Sequence, residues 1–296
     1  MRRHLLSLLA CPVCGARLDY EGTYSGERLL QGVLHCLGCA RQYQVLDELP
    51  ILKDRDLSAD EWSWEVDVSD LRDFDAVRSS YGAALPQGVR IAQEEIVKNI
   101  LGAVRLTPGP ILDVAMGMGT LFRPLAAQLA SETSATGVRD CMASDVDECV
   151  LRGTQRKLRH EAGASAASLL VSDAKHLALQ DAVIRAVVSF GGFGNVPRGG
   201  TALREAARVL QSGGLLVFSA LLLQEDSPSH ELAAEHGYAE MMSTPGVRAA
   251  VEATGLQLIK EQEFVSGRWS HCPYDLLPLE GDWFAHAVFT ACKRDS

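Results

Sequence analysis

Residues 111–120 read Ile-Leu-Asp-Val-Ala-Met-Gly-Met-Gly-Thr, and this stretch decides the fold. Ile111 to Val114 form a short apolar run, preceded by Pro110, which reads as a buried strand. Ala115, Gly117 and Gly119 then interrupt the pattern, and helical spacing resumes at about Leu121 and continues to about Leu129. A strand that ends in a glycine turn and feeds a helix lets the backbone approach a ligand closely and leaves the helix N-terminus open to it. Such a turn on its own equally suits a dinucleotide, so the flanking sequence has to decide between ligands.

Working outward, the apolar pattern predicts further strands at 141–144, 169–171, 186–190, 215–220, 256–265 and 284–292. Helices are predicted at 150–160, 201–210 and 245–253, and before the first strand at 91–104, where Ile91, Ile96, Ile100 and Val104 have helical spacing. Repeated strand-helix units imply an α/β fold with a mainly parallel sheet covered on both faces. Two strand ends carry acids. Asp145 follows the second strand and can accept from ribose hydroxyls; Asp173, within Ser172-Asp173-Ala174, follows the third and can accept from an exocyclic amine. Either aspartate alone is equally well an N-cap, but with Asp113 the pair describes an adenosine ligand lying across the crest of the sheet.

Five stretches in order, ILDVAMGMGT, SDVDECVL, VSDAKHLAL, AVVSFGGFGNVP and LREAARVLQSGGLLVFSA, make the chain from about residue 81 resemble the class I S-adenosylmethionine-dependent methyltransferases of the type 11 kind. The resemblance implies a Rossmann-like seven-stranded sheet with an antiparallel last strand, and S-adenosylmethionine as cofactor. It implies that Asp113, Gly117 and Gly119, with Ala115 in the usual place of the first glycine, hold the methionine part. Asp145 would hold the ribose, and Asp173 with Ala174 the adenine. The chain departs from the family at Ala115, which narrows the turn, and in extra residues at about 131–139.

A sulfonium methyl group is already activated, so its transfer is governed by proximity and alignment and requires no catalytic triad. Acceptor-side residues are sought at the same sheet edge: Tyr81, Phe193, Asn195, the segment 224–242 and the loop 266–282. That loop contains Trp269, His271, Cys272 and Tyr274, a set rich in substrate-shaping side chains for a connector. Tyr81, Phe193, Asn195, Trp269 and Tyr274 are expected to wall a pocket, with packing of the hairpin as the alternative for Trp269. His271 is the candidate general base, with a solvated surface histidine as the alternative.

The eight cysteines fall into two sets. Cys141, Cys149, Cys272 and Cys292 are scattered, whereas Cys11, Cys14, Cys36 and Cys39 form two C-x2-C knuckles, the spacing of a closed tetrahedral metal site. Four thiolates leave no open position, so the expected zinc is structural. The stretches LLACPVCGARL and LHCLGCARQYQVLDELPILKD resemble the zinc-ribbon domain that activates several RNA and protein methyltransferases. The apolar segments beside the knuckles are too short for an independent core, so the metal is expected to supply much of the folding free energy.

The organisation expected is a zinc ribbon over 1–56, an acidic connector over 57–80 and a methyltransferase domain over 81–296. Residues 1–56 carry seven basic and seven acidic side chains, but residues 57–80 carry two basic and seven acidic, and Trp62, Trp64, Val66 and Val68 alternate there as an extended segment would. With 296 residues, 47% of them hydrophobic, the chain can bury a core. Its 22% charged residues exclude wholesale disorder, and the net charge of −10 disfavours a broad nucleic-acid surface.

No apolar run reaches the ~18–20 residues of a membrane span, and the six-residue run before Cys11 is short for a signal peptide. A cytoplasmic protein is expected. The acidic total and the aromatic loop favour a small-molecule or lipid-like acceptor. The alternatives are an RNA or translation-protein substrate docked by the ribbon, or a regulatory protein that binds S-adenosylmethionine without turnover. The oligomeric state is left open.

Overall fold

In the computed structural model, which describes residues 1–54, 71–132 and 140–295, the chain opens with a four-stranded antiparallel meander. Its strands are β1 (Leu18–Ser25), β2 (Arg28–Cys36), β3 (Gln42–Leu46) and β4 (Leu49–Pro50). Two helices follow, α1 (Leu71–Ala84) and α2 (Gln87–Val104), and then the alternating part. This part comprises β5 (Ile111–Val114), α3 (Phe122–Ser131), β6 (Cys141–Asp145), α4 (Glu148–Leu158), β7 (Ala167–Val171), β8 (Ile184–Phe190) and α5 (Gly199–Val209). It closes with β9 (Leu210–Leu223), α6 (Pro228–Glu235), α7 (Thr244–Ala253), β10 (Gln257–Arg268) and β11 (Trp283–Cys292).

The last seven strands form one sheet in the order β10-β11-β9-β8-β5-β6-β7. Its centre is parallel, and β11 is antiparallel to both of its neighbours, as expected of the fold. Every residue of β5, β6 and β7 is buried, which is why they read as continuous apolar runs without alternation. The two faces follow the period of two. Ile111, Val188, Val217 and Val288 pack with Ile96 and Ile100 of α2 and Leu125 and Leu129 of α3. Their neighbours Leu112, Val187, Phe218 and Phe289 share a core with Leu203 of α5 and Val251 of α7.

Two expectations need adjusting, and two others are untested. Ile91 is 54% exposed, and the buried stripe of α2 is Val89, Ala92, Ile96, Ile100 and Val104, one step around the helix. The alternating segment at 62–68 and the extra residues at 133–139 lie outside the described residues. The latter part of the expected connector is the helix α1.

The meander is built into the sheet rather than tethered to it. Ile51 forms a parallel bridge with Val171 at the end of β7, where the Leu52 N–H donates to the Val171 carbonyl at 2.9 Å. Leu9 bridges Leu179, the Ala10 N–H donates to Ala178 O at 3.1 Å, and the Gln180 N–H donates to Leu8 O at 2.8 Å. The connection 172–183 has no helix, and there Leu5 and Leu9 join Leu177, Leu179 and Leu203 in one core. Arg2 pairs with Asp140 at 2.6 Å, and Arg152 donates to Leu46 O at 2.8 Å. The meander therefore lacks a core of its own, as its short apolar segments imply, but the domain completes it as well as any metal.

Candidate functional site

Two turns at the crest are tied together by backbone. Gly117 and Gly119 have φ of 51° and 72°, the left-handed region that glycine enters without penalty. A Cβ built on Gly117 meets nothing within 4 Å, so open space lies beside this turn. The turn is held by the Asp145 carboxylate, which accepts from the Gly117 N–H at 2.8 Å and from the Asp147 N–H at 3.0 Å. The Ser172 N–H donates to Asp145 O at 2.9 Å, carrying the tie to the next strand end. There Asp173 is buried and accepts from the Lys175 N–H at 2.8 Å, with Ala174 buried beside it. Asp113, Asp145 and Asp173 thus stand at successive strands of one edge.

Asp113 is fully buried, and among the described residues neither carboxylate oxygen has a hydrogen-bond partner. Burial, with the Asp145 charge nearby, holds its pKa well above the carboxylate range. Burial also raises Asp145 to about 6, against the pull of its backbone N–H donors. Buried polar groups are normally satisfied, so an orphaned carboxyl below an open glycine turn marks a place where a donor is missing. That is the donor set S-adenosylmethionine would meet: an acid for its amino group, glycine backbone along its chain, and carboxylates at the next strand ends for hydroxyl and amine donors.

Ala115 has φ of 52°. Its methyl group is accommodated because residue 192 is glycine: a Cβ there would lie 2.8 Å from the Ala115 Cβ and 2.5 Å from Ser189 Oγ.

The acceptor-side residues are divided by the structure. Tyr81 and Tyr274 meet edge to face at 6.3 Å, and Tyr274 is 54% exposed. Trp269 is buried and edge-on to Phe284 at 5.0 Å, so it packs the hairpin. Phe193 corrects the expected pocket wall: its ring is fully buried in the core of the opposite face, edge-on to Phe218 at 5.4 Å. An aromatic after a glycine pair reads the same in sequence whether it points to core or cleft. Asn195 and His271 are exposed. The segment 224–242 contributes through α6, where Ser229 donates from N–H and Oγ to Asp282 at 2.8 and 2.6 Å and its Oγ accepts from the Leu279 N–H at 2.8 Å. These bonds pin the loop between β10 and β11.

Sequence reasoning missed Asp275, which accepts from the Tyr81 hydroxyl and the Cys272 thiol and whose pKa is raised by burial. Its signal was available: an acid four residues after the loop histidine, within the segment already singled out.

In the N-terminal segment the Sγ atoms of Cys11, Cys14, Cys36 and Cys39 all lie within 4.8 Å of one another. Cys11–Cys39, Cys14–Cys36 and Cys36–Cys39 are 3.7, 3.4 and 3.5 Å apart. A tetrahedron with metal–sulfur bonds of ~2.3 Å has edges of about 3.8 Å, so the cluster could hold a metal such as zinc. The Gly38 and Cys39 N–H groups donate to Cys36 Sγ, and Tyr43 Oη lies 3.1 Å from Cys11 Sγ.

Residues 112–218 match the family model of a methyltransferase domain. A ubiquinone/menaquinone biosynthesis C-methyltransferase of Caulobacter vibrioides is 32% identical over 161 residues, covering 48% of this chain and 62% of the relative. One from a Caulobacter strain is 35% identical over 118 residues, covering 38% and 45%. The matched part thus spans less than two thirds of the length of these relatives. Among solved structures, the YcgJ protein of Bacillus subtilis superposes with a TM-score of 0.52 at 14% identity, covering 69% of this chain and all of that one (100%). The geranyl diphosphate C-methyltransferase of Streptomyces coelicolor does so with 0.52 at 13%, covering 68% and 79%. At these identities the superpositions speak to the fold.

Proposed function

We propose that this chain, which carries a class I S-adenosylmethionine-dependent methyltransferase domain, transfers the cofactor's methyl group to a carbon of a small, apolar acceptor. The observation that carries the methyl-transfer reading is the crest: an orphaned buried Asp113 below an open glycine turn that Asp145 ties to the neighbouring strands. Asp113, Gly117 and Gly119, with Ala115, would hold the methionine part, Asp145 the ribose hydroxyls, and Asp173 with Ala174 the adenine. When bound, S-adenosylmethionine supplies a methyl group on a positively charged sulfur, a leaving group that needs no further activation. The chain's own part is to align acceptor and methyl and to exclude water.

The acceptor class rests on two supports. The relatives at 32% and 35% identity are named as carbon methyltransferases of quinone biosynthesis. The loop at the crest offers exposed Tyr274, Leu276 and Leu279, apolar surface that suits an apolar ligand. Tyr81 and Tyr274 would line the acceptor's approach, with Trp269 fixing the loop behind them. Labelled cofactor added to cell extract, with the label then sorted into small molecules, RNA and protein, tests this directly. Label in the apolar small-molecule fraction is expected; label confined to RNA or protein would replace the acceptor class.

We further propose that the cysteine cluster binds one structural zinc ion. Its closed four-sulfur shell, which leaves no open coordination position, supports a role in folding. The ion pairs of Arg2 with Asp140 and Arg28 with Glu48 support a ribbon whose basic residues serve the chain itself.

A further inference from the structure

A histidine stands on the face of the sheet that α2 covers. On β11, Phe284, His286 and Val288 point to this face, and in register with β9 they lie opposite Leu223, Leu221 and Ser219. Val288 and Ser219 are 2% exposed, and Phe284, sealed by Trp269, is 4%. His286, between them, is only partly covered, and so are Leu221 opposite it and Phe190, which pairs with Ser219 at the end of β8. His286, Leu221 and Phe190 thus form a partly exposed row in register between closed neighbours on this face. The row leads to the crest: Gly191 and Gly192 follow Phe190 directly, and Gly192 lies against Ala115 of the glycine turn. Two strand steps separate β8 from β11, roughly 10 Å, the span of a small ring system.

Among the described residues, His286 has no hydrogen-bond or ion-pair partner; its ring only meets Phe284 edge to face at 5.8 Å. Burial lowers its pKa to about 4, so the imidazole is neutral at neutral pH and keeps one nitrogen as an acceptor. Most buried polar groups are paired within the protein, whereas this one lies unpaired among the described residues, in the partly exposed row.

We propose that His286 is the catalytic residue that accepts the hydroxyl proton of the acceptor during methyl transfer. The inference rests on the proposed methyl transfer to a small apolar acceptor and adds that this acceptor carries a hydroxyl conjugated to the carbon that is methylated. The acceptor's O–H bond breaks as an N–H bond forms on the imidazole, and the electron pair left on oxygen makes the conjugated carbon nucleophilic; that carbon bonds to the methyl group as the methyl–sulfur bond breaks, its electron pair staying on sulfur. The hydrogen on the methylated carbon then passes as a proton to the oxygen, restoring hydroxyl and conjugation, and the proton on the imidazole passes to solvent, so that one proton is released overall. Tyr81 of α1 and Tyr274 of the loop then serve as apolar wall, and the exposed His271 is not required for this step.

The test uses the full chain, labelled S-adenosylmethionine and, as probe, a naphthohydroquinone bearing a short prenyl chain. In His286→Gln, kcat is expected to fall at least about thirtyfold, near the lower end of general-base effects of ~100–10,000-fold, with S-adenosylhomocysteine affinity within about threefold of wild type. In His286→Ala, added imidazole should restore part of the turnover, which a purely structural loss would not permit. Turnover within threefold of wild type in both variants overturns the proposal, as does a fall without rescue. If the wild-type chain leaves the probe unmethylated, the acceptor class fails. The His286 assignment is then read from its imidazole 15N signals when the probe is added to the S-adenosylhomocysteine complex: a shift supports it, and unchanged signals overturn it.

Discussion

The cysteine cluster and the crest are both ligand sites built on tight turns, but they are assembled in opposite ways. The cluster takes all its ligands from two knuckles 22 residues apart on one meander, and its sulfurs already stand at tetrahedral spacing. The crest draws single residues from β5, β6 and the turn after β7, and one of them, Asp113, is buried without a partner among the described residues. A site with short loops between its ligands can be complete without the rest of the chain. A site spread over strand ends exists only once the sheet has formed and stays open on the side where a ligand enters. The first arrangement suits a permanent structural ion and the second a cofactor that must come and go. The contrast has a limit, since Leu52 and Ala10 bond to the segment 171–178 that carries Asp173.

The largest effect should come from breaking the closed site. Cys36→Ser is expected to abolish zinc binding, read as one ion per chain falling to none by elemental analysis. Structural zinc sites contribute ~10–16 kcal/mol in isolated peptides, and here the domain supplies part of the ribbon's core, so a loss of several kcal/mol is expected. For a domain of this size that lowers Tm by roughly 10 °C. Because the ribbon bonds to the segment holding Asp173, S-adenosylhomocysteine affinity should also fall, by about tenfold (1.4 kcal/mol). An unchanged affinity in calorimetry would show that the two sites are independent after all.

Asp145 comes next. Asp145→Ala removes both the proposed ribose acceptor and the tie to the Gly117 N–H. Hydrogen bonds to charged groups are worth about 1.5–3 kcal/mol, so binding should weaken by at least about tenfold. Affinity equal to wild type would move the ribose elsewhere.

How far the sequence carries differs between the two sites for the same reason. Spacing alone identifies Cys11, Cys14, Cys36 and Cys39, because their geometry is local. The strand ends at Asp113, Asp145 and Asp173 needed an ordered set of five stretches, since nothing near Asp173 in sequence says that it faces Asp145. The acceptor side was least legible. The helix α1 carries Leu71, Phe74, Val77 and Tyr81 at helical spacing, a signal masked by its acidic setting. The helix α6 has eight residues, too few for a period, and only Ser227 followed by Pro228 marks its start. Phe193 and His286 show why the rest was hidden: exposure on one sheet face depends on what covers it, which no local pattern records.

A smaller and graded effect follows from pH. Burial raises Asp145 to about 6, against its backbone N–H donors, and the charge of Asp147 adds to the rise. Ribose hydroxyls donate, and so bind the ionised carboxylate better. Cofactor affinity should therefore be full above pH 6 and weaken as the pH falls through about 6, by at most about tenfold per pH unit. Asp145→Asn should flatten this profile in calorimetry between pH 5 and 7, and a slope that persists in the variant would assign it to another group.

The smallest effect separates two alanine-for-glycine questions within the crest itself. Ala115 occupies a left-handed conformation at φ 52°, which costs a residue with a Cβ roughly 1–2 kcal/mol. Ala115→Gly relieves that strain, while the freer unfolded chain takes back about 0.4–1 kcal/mol. A net gain of up to ~1 kcal/mol is therefore expected, visible as a slightly raised denaturation midpoint with cofactor affinity nearly unchanged. Gly192→Ala should act in the opposite direction. Its Cβ would lie 2.8 Å from both the Ala115 Cβ and the Ala115 carbonyl and 2.5 Å from Ser189 Oγ, and Ser189 itself donates to Val114 O at 2.8 Å. Removing the Ala115 methyl relieves only the first of these contacts, so Ala115→Gly should not rescue Gly192→Ala fully. Full rescue in the double variant would mean that the methyl alone sets the packing between the two turns. Incomplete rescue would place the constraint in the two remaining contacts, the Ser189 hydroxyl and the carbonyl of the Ala115 turn, where the proposed cofactor site begins.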